Sequence, residues 1–220
     1  MLKHFCFIKL LITREALTGL MIMKRALISV YDKTGIASFA RELNKLGIEI
    51  ISTGGTLEVL KEAGIGSVKH ISAVTGFPEI LEGRVKTEHT KLMGGILALR
   101  NSKQLNELES HGIEPIDMVV CNLYPFETVT EQGADLKTAL ENIDIGGPNM
   151  IRAAAKNFEN VVVVVNPNRY GQILSEINKN GDVSAETRKA LAVEAFKTTA
   201  RYDSAIYRHL EKTFRSTSSK

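Results

Sequence analysis

Tryptophan is absent from this 220-residue chain and aromatic residues make up only 6% of it, which argues against a carbohydrate-stacking or protein-recognition surface. Cysteine is nearly absent as well. Cys6 stands near the terminus and Cys121 inside an apolar run, so a disulfide framework is excluded and a reducing, cytoplasmic compartment is expected. A free cysteine in an apolar run behaves as a small buried hydrophobe more often than as a nucleophile. Charge of one sign is equally scarce: 28 basic residues are spread among 25 acidic ones for a net +3, without the basic stripe that tracks nucleic acid. No segment approaches the roughly 18 unbroken apolar residues of a membrane helix. His70, His89 and His111 show no metal-ligand spacing, so no metal is expected. Neither a P-loop nor a Gly-x-Gly-x-x-Gly fingerprint is present, which favours a monophosphate over a dinucleotide as ligand.

Residues 1–23 carry a short apolar patch, broken by Lys9 and ended by Arg14 and Glu15, with no convincing cleavage site. We expect a non-structural extension there, with Met21 or Met23 as the working start. The rest, 44% apolar and 24% charged over the whole chain, has the composition of a globular protein with a sizeable core.

Arg25 to Val30 reads as a strand, and Thr34-Gly35 leads into a helical pattern at Ile36, Phe39, Ala40, Leu43 and Leu46. The same phrase recurs: Ile48 to Ser52 is a second strand and Thr53-Gly54-Gly55-Thr56 turns into a helix over Leu57 to Ala63. Such alternation implies an α/β fold, a parallel sheet flanked by helices. Gly64 to Lys91 is irregular, and a long irregular stretch in a domain is usually functional. Further strands are expected at Gly95–Leu99, Ile116–Cys121 and Val161–Val165. The five valines of the last place it in mid-sheet. Helices are expected at Ser102–His111, Leu136–Glu141, Asn149–Ala155, Tyr170–Asn178 and Ala185–Phe214. The chain thus reads as one domain, 24–214, with a helical C-terminal part and a frayed tail at 215–220.

Ligands of such a sheet collect at the carboxyl ends of its strands, where helix N-termini aim free amides. Three loops should open there, Tyr31-Asp32-Lys33, Thr53-Gly54-Gly55-Thr56 and Asn122-Leu123-Tyr124. The Gly-Gly turn is either plain punctuation or a phosphate cradle, and Lys33 nearby favours the cradle. Arg84, Lys86 and Thr87 form either a solvated basic loop or an anion clamp. Asp144, between two isoleucines before Gly146-Gly147-Pro148, is a partly buried carboxylate in need of a partner. Lys156 is the candidate, giving either a proton-transfer pair or a structural ion pair.

Seven segments stand in the order and spacing of one family: Ser29-Val30-Tyr31-Asp32-Lys33-Thr34-Gly35, Ser52-Thr53-Gly54-Gly55-Thr56, Thr75-Gly76-Phe77-Pro78-Glu79, Gly83-Arg84-Val85-Lys86-Thr87, Cys121-Asn122-Leu123-Tyr124-Pro125-Phe126, Ile143-Asp144-Ile145-Gly146-Gly147 and Arg152-Ala153-Ala154-Ala155-Lys156-Asn157. They resemble the IMP cyclohydrolase domain of the bifunctional purine enzyme that also carries AICAR transformylase. The resemblance implies a methylglyoxal-synthase-like (MGS-like) fold, a homodimer, no cofactor, and closure of 5-formamidoimidazole-4-carboxamide ribotide (FAICAR) to IMP. It implies a substrate site of Tyr31, Asp32, Lys33, Thr53, Gly54, Gly55, Thr56, Arg84, Val85, Thr87, Cys121, Asn122 and Ile145. Lys86, Tyr124, Asp144 and Lys156 match the positions that carry chemistry. In that reaction the carboxamide nitrogen attacks the formyl carbon, an oxyanion develops and water leaves, so the site must orient, stabilise negative charge and move protons. Lys156 with Asp144 is expected to handle protons, while Lys86 and donors near Tyr124 stabilise the oxygen charge.

Two departures stand out. The family usually continues its Arg-Val-Lys-Thr motif with Leu-His-Pro and soon after has a His before Gly-Gly, where this chain has Glu88-His89-Thr90 and Met93-Gly94-Gly95. Losing the proline should loosen the loop. The likeness also stops where a transformylase half would begin, from which a separate formylating enzyme is expected. A noncatalytic nucleotide-sensing module of the same fold is the main rival, since fold does not fix function. Lys86, Asp144 and Lys156 argue against it. Methylglyoxal synthase is a second rival, for which the motifs after Asn122 have no place.

Overall fold

Strand β1 (Arg25–Val30) is the centre of the molecule, with Ala26, Leu27 and Ile28 wholly buried, as a strand covered on both faces requires. A computed structural model of the chain describes residues 23–217. The expected extension up to residue 22 and the final residues of the expected tail lie outside the described residues. Met23 is already part of the core.

From β1 the chain runs through α1 (Ile36–Lys45), β2 (Glu49–Ser52), α2 (Gly54–Glu62), β3 (Val68–His70) and the short α3 (Ile71–Thr75). A 3-10 turn at Leu81–Gly83 follows, then α4 (Thr90–Leu97), α5 (Ser102–Ser110) and β4 (Met118–Asn122). Next come α6 (Phe126–Glu131), α7 (Leu136–Glu141), α8 (Gly146–Lys156), β5 (Val162–Val164), a second 3-10 turn, α9 (Tyr170–Asn180) and α10 (Ala185–Thr217). All strand pairs are parallel, in the order β3-β2-β1-β4-β5. Successive connections leave β1 on one side toward β2 and β3, and on the other toward β4 and β5. The strand order therefore reverses at β1 and β4, and a crevice opens beyond their carboxyl ends.

Three expectations need correction. The run Gly95–Leu99 lies mostly in helix α4, whose backbone approaches the chain before β4 so closely that a Cβ on Gly95 would stand 2.8 Å from the Glu114 carbonyl oxygen. A short apolar run has no period that separates a buried helix turn from a strand. Among the described residues the valine strand β5 pairs with β4 alone and lies at the sheet's edge, not in its middle. Its valines are 0–1% exposed because α8 and α10 pack on it, and burial of the faces is what its composition records. A third strand, β3, emerges from the stretch expected to be irregular.

The N-terminus of α4 also differs from a loosened loop. His89 occupies its N-cap, with Nδ1 accepting the Lys91 N–H at 3.1 Å, so the first turn is held despite the missing proline. Among the described residues, no helix is long and apolar enough to cross a membrane.

Candidate active site

The crevice holds a cavity of about 980 Å³ lined by residues of all the loops expected to converge there. Its floor is stapled at the strand ends. The Asn122 side chain, at the end of β4, accepts the N–H groups of Tyr31 at 2.6 Å and Asp32 at 2.8 Å, and donates to the Asp32 carbonyl at 3.1 Å. Its amide is spent on joining the loops after β1 and β4. Asp32 turns away: its carboxylate is held below the usual range by the Thr34 hydroxyl first and then by the Thr34 N–H, accepted at 2.9 Å, and it lines a neighbouring cavity instead.

Thr56 is likewise committed, accepting the Val30 N–H at 3.1 Å and donating to the Val30 carbonyl at 2.9 Å, fully buried. It anchors α2 to β1 rather than offering a free hydroxyl. Thr53 is the N-cap of α2, yet its hydroxyl donates to Glu79, so the first turn has no side-chain cap. Gly54 and Gly55 are exposed on the cavity, and the Lys86 ammonium lies 4.0 Å from where a Gly54 Cβ would stand. A cation over an uncapped helix N-terminus is a site for an anion. Lys33 joins it from the β1 loop, donating to the Val30 carbonyl and, at 3.2 Å, to that of Tyr31. Burial pulls the Lys33 pKa down, nearby Asp32 opposes the shift and Lys86 adds to it.

On the opposite wall, Asp144 accepts the Gly147 N–H at 2.7 Å. Burial raises its carboxyl pKa, while the Gly147 amide and Lys86 favour the charged form, Glu88 disfavours it and the Tyr124 amide favours it again. The Tyr202 hydroxyl of α10 accepts the Asp144 N–H at 2.9 Å and so fixes this turn. Cys121 lies beneath, 2% exposed, and burial followed by the Asp144 charge pushes its thiol far above the ordinary range, so it is no nucleophile. Tyr124 and Tyr31 meet edge to face at the mouth, with ring centroids 5.7 Å apart. Val85 and the exposed Ile145 complete the lining, and Arg84 pairs with Glu141 across it.

Lys156 needs correction as Asp144's partner. It lies exposed at the last turn of α8, while Asp144 precedes the first. The helix's 11 residues separate the two by roughly 15 Å along its axis at 1.5 Å per residue. Lys156 is absent from the cavity lining, and the cation that does act on Asp144 is Lys86.

Two carboxylates escaped the sequence reading. Glu79 receives the Thr53 hydroxyl. Glu88 folds back on its own loop, where Oε2 accepts the N–H groups of Lys86 at 3.0 Å and Thr87 at 3.1 Å and Oε1 accepts the Thr87 hydroxyl at 3.1 Å. The rim between them is strained: Leu81 and Glu82 hold φ of 53° and 56°, in the left-handed region that β-carbon-bearing residues avoid.

A family model described as MGS-like domain matches residues 35–149, and one described as AICARFT/IMPCHase bienzyme matches 154–220. The bifunctional purine biosynthesis protein PurH of Persephonella marina is 55% identical over 192 residues, covering 87% of this chain and 37% of that protein. PurH of Thermoanaerobacter sp. is 56% identical over 189 residues (85% and 37%), and that of Bacillus subtilis 50% over 192 (86% and 37%). The chain therefore spans little more than a third of these relatives. A solved structure titled "Crystal structure of ForH" superposes with a TM-score of 0.75 at 35% identity, covering 86% of this chain and 99% of that one.

Proposed function

The chain belongs to the MGS-like domain family and matches the IMP cyclohydrolase region of PurH, an enzyme of purine biosynthesis, and from that premise we propose that it closes FAICAR to IMP with loss of water. One observation carries the reading. Lys86 stands between an uncapped helix N-terminus suited to a phosphate and a half-buried carboxyl group, Asp144, in a single cavity with room for a ribotide.

The roles follow from charge. The amides of Gly54 and Gly55, with Lys33 and the neighbouring backbone amides of Lys86 and Thr87, hold the 5′-phosphate. The carboxamide nitrogen of the bound ribotide attacks the formyl carbon and forms the new C–N bond, and the formyl oxygen takes up negative charge. The Lys86 ammonium neutralises that charge as it develops. Asp144, whose raised pKa keeps proton exchange within reach, takes a proton from the attacking nitrogen and passes it to the oxyanion to give a hydroxyl; the formamide N–H proton then goes to that hydroxyl as the C–O bond breaks and the ring C=N bond forms, and water leaves. The Tyr124 hydroxyl, at the mouth, donates to the same oxygen. A homodimer is part of the same proposal, tested by sedimentation of the purified chain.

The test is direct: purified protein is mixed with FAICAR and IMP formation is followed by its ultraviolet absorbance. Wild type converts it, and Lys86→Met and Asp144→Asn lose at least about a hundredfold in kcat. Binding without turnover by wild type would instead mark the chain as a nucleotide sensor.

A further inference from the structure

The described residues lining the cavity include five carboxylates, Glu79, Glu82, Glu88, Glu141 and Asp144, against three cations, Lys33, Arg84 and Lys86. That balance is the wrong sign for a site holding a phosphate. Most of the excess is tied up elsewhere: Glu141 pairs with Arg84, and Glu79 takes the Thr53 hydroxyl and lies 3.4 Å from His70. Glu88 is different, because its partners are the anion-binding groups themselves. Two successive backbone N–H groups and the hydroxyl of a threonine, donating together to one carboxylate, form the kind of concavity that otherwise receives an oxyanion. Thr87 is 2% exposed, so its hydroxyl has little water to turn to.

Resting on the reading of this cavity as a ribotide site, we infer that Glu88 is a built-in rival for the ligand's phosphate: its carboxylate fills the Lys86–Thr87 amide nest and must leave before an anion takes that place. The carboxylate is tethered to the nest by its own short side chain, so it competes at every ligand concentration. The site is thereby tuned to weaker binding, and affinity is gained by removing the charge.

Titration calorimetry with inorganic phosphate, IMP and inosine on wild type, Glu88→Gln and Glu88→Leu tests this. Glu88→Gln keeps the size and an acceptor oxygen, and melting curves establish that each variant is folded. The expected result is phosphate and IMP affinities raised at least about fivefold in Glu88→Gln, with inosine unchanged, as removal of one like charge from the anion's place predicts. Glu88→Leu, which also frees the amides, gains at least as much. Phosphate affinity that is unchanged or lower in Glu88→Gln overturns the inference. If phosphate tightens but IMP binds no better than phosphate in any of the proteins, the rivalry stands and the ribotide reading falls. If IMP binds wild type well and Glu88→Gln alters nothing, the rivalry alone falls.

Discussion

The hydroxyl of Tyr202 bridges the main chain on both sides of Ile143, accepting the Asp144 N–H at 2.9 Å and donating to the Asn142 carbonyl at 3.0 Å. A residue of the C-terminal helix thus sets the position of a carboxyl group at the sheet's far crevice. Burial pushes the Tyr202 phenol up to about 12, so it remains a neutral donor at any working pH.

Tyr202→Phe removes both bonds while keeping the ring's contact with Phe126. Leaving these main-chain groups without their partner costs about 1–3 kcal/mol, read as a lower urea midpoint. Turnover falls more than substrate affinity, because Asp144 drifts while the phosphate grip is untouched. Separate kcat and KM measurements check the split.

Gly147→Ala tests the tightness of the same turn. A Cβ there would stand 2.6 Å from Asp144 Oδ2 and 2.7 Å from Leu123 Cδ2, so both side-chain tips must shift, and Asp144 leaves the Gly147 N–H to do so. Overpacking of this kind costs roughly 1–3 kcal/mol. The variant should melt several degrees lower and lose turnover, as calorimetry and the IMP assay will register.

Asp144 makes stability depend on pH with a definite sign. Its folded pKa lies above the ordinary carboxylate value of 3.8, so the folded state holds this proton more readily than the unfolded chain does. The associated stability is present below the unfolded pKa and is lost as pH rises through the folded one. Asp144→Asn stays neutral throughout and can still accept the Gly147 N–H. It should therefore melt higher than wild type at neutral pH, with the gap closing toward about pH 4. Melting curves across that range decide it, and a constant or inverted gap counts against a raised Asp144.

Lys156→Ala should leave IMP affinity within about twofold of wild type, since the side chain is exposed and outside the cavity. Calorimetry provides the comparison. A loss of tenfold or more would return Lys156 to the site.

Much of the architecture was legible because β1 and α1 state their periods openly, with wholly buried runs in one and a clean apolar stripe in the other. The edge position of β5 was not, since valine reports covered faces and says nothing about neighbours in the sheet. Strand β3 is three residues long, too short to show alternation. At the site, the loops after β1, β2 and β4 converge as parallel topology requires. The pairing of Asp144 with Lys156 failed on simple geometry, because 12 positions bracketing one helix are a helix length apart. Glu79 and Glu88 left no readable signal. Their partners are a hydroxyl and backbone amides, groups whose availability depends on how the loop folds.

The Asn122 amide that sews together the loops after β1 and β4 gives the crevice unequal stiffness. A seam of three bonds at the strand ends resists parting, so accommodation of a guest falls to the opposite bank, where Leu81 and Glu82 are wound against their preference. Amide exchange should sort the two banks accordingly, with slow protons at Tyr31 and Asp32 and fast ones from residue 81 to residue 84.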